Sequence, residues 1–183
     1  IMGLTGERNK VNEMVENLSE ILAYSLDSRR EYVPLSEEIH ITKCYISLLQ
    51  NRYGDTFRAE WKYEEAVLEA NVVKFILQPL VENSIYHGIR VKEGVKGEVE
   101  IAIGEQDGAV CLTVSDNGAG MEKERIDYIN RNISDTDRDI GYGITNINKR
   151  IELMYGEEYG LHFRQNEDSG ICVEIRLPMR AAE

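Results

Sequence analysis

A chain of 183 residues with 42% hydrophobic and 30% charged content is long enough for one packed domain and a helical appendage. Its net charge of -12 argues against a nucleic-acid binder, whose phosphate partner would be repelled; a bound polyphosphate would need a metal ion and backbone N–H groups. No apolar run approaches the roughly 18 residues of a membrane span, no secretory signal opens the chain, and the start IMGLTGERNK reads as a cut inside a larger protein.

Val11, Met14, Val15, Leu18, Ile21 and Leu22 fall at helical spacing and form a narrow apolar stripe. Such a stripe either packs on its own domain or pairs with another helix or subunit. Pro34 breaks this helix, and Ser36 with Glu37 and Glu38 behind it reads as the N-cap of a second one, running to about Arg52. From Phe57 the period becomes two, with Phe57, Ala59, Trp61 and Tyr63 on one face of a strand. Val72 to Tyr86 reads as helix, with Pro79 near its first turn or kinking it. Val99, Ile101 and Ile103 alternate, EQDG turns the chain, and Val110, Leu112 and Val114 return. A short helix spans 122–131 and another 144–155, stopped by Gly156; Leu161 to Gln165 and Ile171 to Leu177 close the chain as a hairpin. The expected fold is α+β: a two-layer sandwich whose mixed, largely antiparallel sheet of about five strands carries three helices on one face, preceded by two helices. A boundary near Asp55 divides a helical segment, 1–54, from a catalytic domain, 55–183. Cys44, Cys111 and Cys172, odd in number and far apart, read as reduced thiols rather than disulfide partners or metal ligands.

Three stretches carry the chemistry. In LVENSIYHGI, Asn83 and His87 share a stripe with Ile76 and Leu80; buried unpaired, each would cost about 1–3 kcal/mol. Either a ligand or metal supplies the missing partners, or backbone and water do. In SDNGAGM, Asp116 stands at a strand end before Gly118 and Gly120, an acceptor suited to a ligand's amino group or, alternatively, to its own backbone in a tight turn. In GYGITNINKRIELMYG, Gly141 and Gly143 precede a helix whose free N–H groups form an anion site or merely begin an ordinary helix. Neither glycine pair completes a dinucleotide fingerprint, and the chain has neither a P-loop nor a protein-kinase catalytic-loop signature.

Taken together and in this order, the stretches resemble the N-box, the D-x-G-x-G box and the G-x-G box of the ATP-binding catalytic domain of sensor histidine kinases, in the superfamily shared with gyrase, Hsp90 and MutL. The wording LQPLVEN…HG and the lead-in YSLDSRREYVPLSEEIHITKCYISLLQNRYGD resemble the LytS/YesM-type subgroup. The resemblance implies ATP and Mg²⁺ as ligands, with Asn83 holding the metal and Asp116 accepting the adenine amino group. It implies close approach of the base and ribose at Gly118 and Gly120, phosphate contacts at Gly141 and Gly143, and His87 near the phosphates. Met121, Tyr142 and Ile144 belong to the same boxes and join the predicted nucleotide site. Tyr86 stands where many relatives carry a basic residue, and the lid between Asn132 and Ile140 is short and lacks a phenylalanine.

The implied activity is protein-histidine kinase: the γ-phosphoryl passes to a histidine upstream of Ile1 and then to a response regulator. Related ATPases place a water-activating glutamate four residues before the magnesium asparagine; Pro79 stands there, so transfer is favoured over hydrolysis. Glu82 is the candidate catalytic base or orienting group. His40 lacks acceptor surroundings and His162 reads as structural, so this chain alone is expected to bind ATP without labelling itself. The implied setting is a homodimer through the upstream helices, cytoplasmic, in a membrane-anchored parent that binds no nucleic acid. The alternative is a degenerate, non-catalytic module that senses nucleotide; a serine kinase acting on an anti-sigma antagonist has the same boxes, but the helical lead-in disfavours it.

Overall fold

The structure, a computed structural model, describes residues 2–89, 96–135, 140–166 and 169–179, with side chains from residue 8 onward. Helix α1, Met2–Leu26, extends beyond both ends of the predicted stripe, and the stripe itself divides. Met14, Asn17 and Ile21 are half-buried and Tyr24 is buried against α2, Leu35–Tyr53. Across this hairpin Asn17 Nδ2 donates to Ser47 Oγ at 3.1 Å, and Ser47 Oγ donates to Glu13 at 3.0 Å. Val11, Val15, Leu18 and Leu22 remain 58, 57, 50 and 52% exposed. One half of the stripe packs at home; the other half faces out.

The joint between the hairpin and the rest departs from the sequence reading. Strand β1, Tyr32–Pro34, lies between α1 and α2, and after β2, Phe57–Tyr63, it pairs antiparallel with β3, Asn71–Val73. Residues 72–77, predicted as helix, are therefore strand and turn. Glu38 supplies the reason. Its side chain is buried and accepts the N–H groups of Phe75, Ile76 and Leu77 at 2.6, 3.0 and 3.4 Å, together with the Tyr24 hydroxyl. Hydrogen bonds from three successive N–H groups to this one side chain offset the left-handed φ of 55° at Phe75, a conformation that costs a non-glycine residue roughly 1–2 kcal/mol. Burial pushes the Glu38 carboxyl above its ordinary range, against the opposing pull of those hydrogen bonds. Ser36 is not the cap: α2 starts at Leu35 behind Pro34, without a side-chain cap. Next to this pin, buried Lys74 donates to the Tyr24 and Asp27 carbonyls at 2.6 and 2.8 Å and closes the C-terminal end of α1.

Helix α3, Gln78–Asn83, has Pro79 in its first turn and widens into a π-helical turn, Ser84–Ile89. The remaining elements are β4 (Gly97–Gln106), β5 (Ala109–Asp116), α4 (Lys123–Asn132), α5 (Tyr142–Tyr155), β6 (Leu161–Gln165) and β7 (Ile171–Pro178). The sheet runs β2-β4-β5-β7-β6, with only the β2–β4 pair parallel. EQDG turns between β4 and β5 with positive φ at Asp107 and Gly108, as a two-residue hairpin requires. Alternation along β4 buries Val99, Ile101 and Ile103 and turns Glu98 and Glu100 outward, where they meet Arg58 and Lys62 of β2 at 2.9 and 2.6 Å. One sheet face thus carries the core and the other meets solvent, the two-layer α+β arrangement expected from the period-two runs. Helix α5 buries Ile144, Ile147 and Ile151 as predicted, but its last buried side chain is Tyr155, with Met154 only half-buried. Asn130 of α4 clips to β6 through both backbone groups of Phe163 at 2.8 Å, and Asn148 of α5 accepts the Leu161 N–H at 2.8 Å. These clips hold both helices against the sheet edge. Of the predicted lid, residues 136–139 lie outside the described residues.

Candidate functional site

Between α3 and the start of α5 lies a cleft of about 650 Å³. Helix α3 contributes Pro79, Glu82, Asn83, Tyr86 and His87; Met121, Arg125 and Ile129 come from the β5–α4 loop and α4; Ile140 to Ile144 close the far side. The widened turn explains why these polar residues meet here. A π-turn advances each residue by a smaller angle than an α-turn, so Ser84, Ile85, Gly88 and Ile89 go inward together. The single stripe expected for Ile76, Leu80, Asn83 and His87 is broken accordingly. Ile76 and Leu80 are buried, but Asn83 is half-buried and His87 exposed, both on the cleft wall. Neither incurs the cost of core burial.

Asp116, Gly118 and Gly120 do not line the cleft; they lie behind it, joined to the end of the α3 turn. The Ala119 N–H donates to the Gly88 carbonyl at 3.1 Å. A Cβ built on Gly88 would stand 2.7 Å from Asp116 Oδ1, and one built on Gly118 would stand 2.2 Å from the Gly88 carbonyl carbon. Asp116 is 5% exposed, and its Oδ1 accepts the Gly118 N–H at 2.8 Å. The tight-turn role weighed from sequence is therefore present, and the carboxylate is buried against Gly88, the residue that follows the cleft-lining His87. Gly120 adopts a φ of +72°, and its absent Cβ leaves room for Gln165.

The other glycine pair behaves differently. Gly141 caps α5 with a φ of +99°, whereas Gly143, expected before the helix, lies in its first turn. A Cβ on either would meet nothing within 4 Å. Packing does not demand these glycines; the space beside them is the cleft. Thr145 Oγ1 donates to the Gly141 carbonyl at 3.1 Å and fixes the turn. Asn83 offers a hard amide oxygen at the opposite wall, a donor type that suits Mg²⁺. Tyr86, in the place of a basic residue, bonds the Tyr53 hydroxyl at 3.3 Å and meets that ring edge-on, which ties α2 to the cleft wall.

Reasoning from sequence alone missed Gly88, Arg125, Ile129 and Thr145. Gly88 carried a signal, since glycine inside a helical run marks a close backbone approach. Arg125 carried none: one charge on the polar side of a short helix looks like any solvated charge. Among the described residues lining the cleft it is nevertheless the sole permanent cation.

A sheet backed by helices, with an asparagine-bearing turn opposite a glycine-capped helix start and a buried aspartate behind, defines an ATPase domain of the histidine kinase and gyrase class. The chain belongs to that family: residues 69–181 match the family described as "Histidine kinase-, DNA gyrase B-, and HSP90-like ATPase", which implies ATP binding, and residues 1–57 match the one described as "Histidine kinase". It is 29% identical to the sensor protein LytS of Bacillus anthracis over 95% of this chain and 30% of that protein. It is 28% identical to the sensor histidine kinase YesM of Bacillus subtilis strain 168 over 95% of this chain and 29% of that one. The chain thus spans about three-tenths of the length of the relatives it matches. Among solved structures, histidine kinase ThkA in complex with the response regulator protein TrrA superposes with a TM-score of 0.59 at 19% identity, covering 94% of this chain and 49% of that one. No helix among the described residues is long and apolar enough to cross a membrane.

Proposed function

We propose that this chain is the ATP-binding catalytic portion of a two-component sensor histidine kinase, with the helical segment 1–54 leading into a catalytic domain at 55–183. The observation that carries the reading is the convergence of Glu82, Asn83 and His87 with Gly141 to Ile144 around one cleft, backed by the buried Asp116. In this reading Asp116 accepts the adenine amino group, and Met121 and Ile144 give the nucleoside apolar contact. The N–H groups around Gly141, Tyr142 and Gly143 face the phosphates, with His87 and Arg125 adding positive or donor character. Asn83 would hold Mg²⁺, which supplies charge neutralisation to the phosphate oxygens.

The domain's task is then positioning rather than covalent chemistry. A neutral imidazole nitrogen of an upstream histidine forms its bond to the γ-phosphorus as the bond to the bridging oxygen breaks, and ADP leaves with that electron pair. Exposed Glu82, beside Asn83, orients the incoming ring and takes the proton from its other nitrogen. Pro79, where a hydrolytic relative would carry its base, supports transfer over hydrolysis. The reading extends to a response regulator as the next acceptor, supported by the ThkA–TrrA complex. It also extends to a homodimer through α1, whose exposed Val11, Val15, Leu18 and Leu22 follow the four-three-four spacing of a coiled-coil seam. A membrane-anchored parent with this portion on the ATP-supplied cytoplasmic side completes it.

Calorimetry with ATP–Mg²⁺ tests the site. Asp116→Ala should abolish binding; Asp116→Asn keeps an acceptor for Gly118 but opposes the adenine amino group with a donor, and should do the same with the fold intact. Unchanged affinity in a folded Asp116→Asn chain overturns the nucleotide assignment. A longer protein carrying the upstream segment, given radiolabelled ATP, should form acid-labile phosphohistidine; binding without transfer would instead favour a nucleotide-sensing module.

A further inference from the structure

Away from the cleft, the α1–α2 seam carries a group of side chains that the nucleotide chemistry does not use. His40 and Cys44 stand one turn apart on α2 and point to the same side, where Glu20 of α1 meets them. Glu20 Oε2 bonds His40 Nε2; the Cys44 sulfur lies 3.9 Å from that oxygen and 3.8 Å from that nitrogen. All three ligand atoms fall within 4.8 Å of one another. We propose that Glu20, His40 and Cys44 form a binding site for a thiophilic divalent cation of the zinc class, clamping α1 to α2.

The geometry is close to what such an ion needs. With bonds of roughly 2.0–2.3 Å, tetrahedral ligand atoms are separated by about 3.3–3.6 Å. The two sulfur separations need to shorten only slightly, and the oxygen–nitrogen pair needs to open, which the half-exposed Glu20 and His40 side chains permit. Cys44 is 6% exposed, so the sulfur side is sheltered, while solvent reaches the other side and can supply a fourth ligand. A thiolate and a carboxylate balance a divalent charge, so the complex is neutral in a partly buried seam. Thiolate and imidazole together select zinc-like ions over Mg²⁺, which separates this site from the oxygen-ligand position at Asn83. Its place matters too. Glu20 lies one helical turn before Tyr24, whose hydroxyl reaches the Glu38 pin, so a metal here would stiffen the hairpin where it meets the catalytic domain.

The test uses the full chain without nucleotide and titrates it with cobalt(II), then zinc(II). One cobalt per chain should bind with a thiolate charge-transfer band in the near ultraviolet and tetrahedral absorption in the visible, both erased by zinc. Cys44→Ser should remove the band. His40→Gln and Glu20→Gln, which alter exposed side chains and leave the fold intact, should each weaken zinc binding by at least the roughly 10–100-fold that losing a supporting contact costs a metal ligand. Cys111→Ser should change nothing. A wild-type chain with no thiolate band, or a band that persists in Cys44→Ser, or zinc affinity unaltered in folded His40→Gln, overturns the proposal. None of these readouts depends on ATP, so failure here leaves the nucleotide site untouched.

Discussion

The backing of the cleft and its α5 side are built on opposite principles. Behind the α3 wall, Asp116, Gly88 and Gly118 interlock so closely that no Cβ fits between backbone and backbone. At the α5 end, Gly141 and Gly143 border space, and Tyr142 between them stands exposed. A glycine at the first end serves the protein's own packing; at the second, Gly141 serves its left-handed turn, while Gly143 leaves room in the cleft. Identical substitutions should therefore have opposite consequences.

Gly118→Ala drives a methyl group into the Gly88 carbonyl, and overpacking between two backbones should cost about 3 kcal/mol or more along with ATP binding, read by chemical denaturation and calorimetry. Glu38→Ala, at the interhelical joint, strips the acceptor from three backbone N–H groups and a tyrosine hydroxyl. A loss of roughly 2–3 kcal/mol is expected, with the cleft's affinity changed only through stability. At the open end the balance reverses. Arg125→Ala should leave stability within about 0.5 kcal/mol of wild type and weaken ATP roughly tenfold. Gly143→Ala is the sharpest contrast. With no neighbour to strike in a helical first turn, it should stabilise the fold by about 0.5 kcal/mol yet reduce ATP affinity, because its methyl group projects into the cleft. If both glycine variants lose stability alike, the distinction between the two ends fails.

The smallest effect lies on the surface beyond α1. Hydrogen bonds from Arg30, then from the backbone and side chain of Arg29, hold the half-buried Asp27 carboxyl down from 3.8 to about 2. A depressed carboxyl contributes to stability above its unfolded value of 3.8, and that contribution is lost as the pH falls through about 2. Arg30→Gln should move the Asp27 midpoint, followed by carboxyl NMR, back toward 3.8 with scarcely any change in melting.

The period-two runs made the sheet readable, because one buried face forces alternation, which is clearest along β4. The three boxes were readable for a related reason: asparagine, aspartate and paired glycines are costly in regular elements and stand out where they occur. Residues 72–77 were misread as helix because their apolar run fits either period, and the arbiter, Glu38, lies far back in the chain. Its acidic position in a helix's first turn looked like capping chemistry, when it was a ligand for distant N–H groups.

Sequence by itself determined which residues are chemically unusual and the strand pattern that carries them, since local period and side-chain type are properties of neighbours along the chain. Only the tertiary structure decided which of them meet. The widening of α3 into a π-turn, the exclusion of a Cβ between Gly88 and Gly118, and the arrival of Arg125 at the cleft all depend on contacts between segments remote in sequence. Steric fit and hydrogen-bond competition act through space, and no local pattern records them.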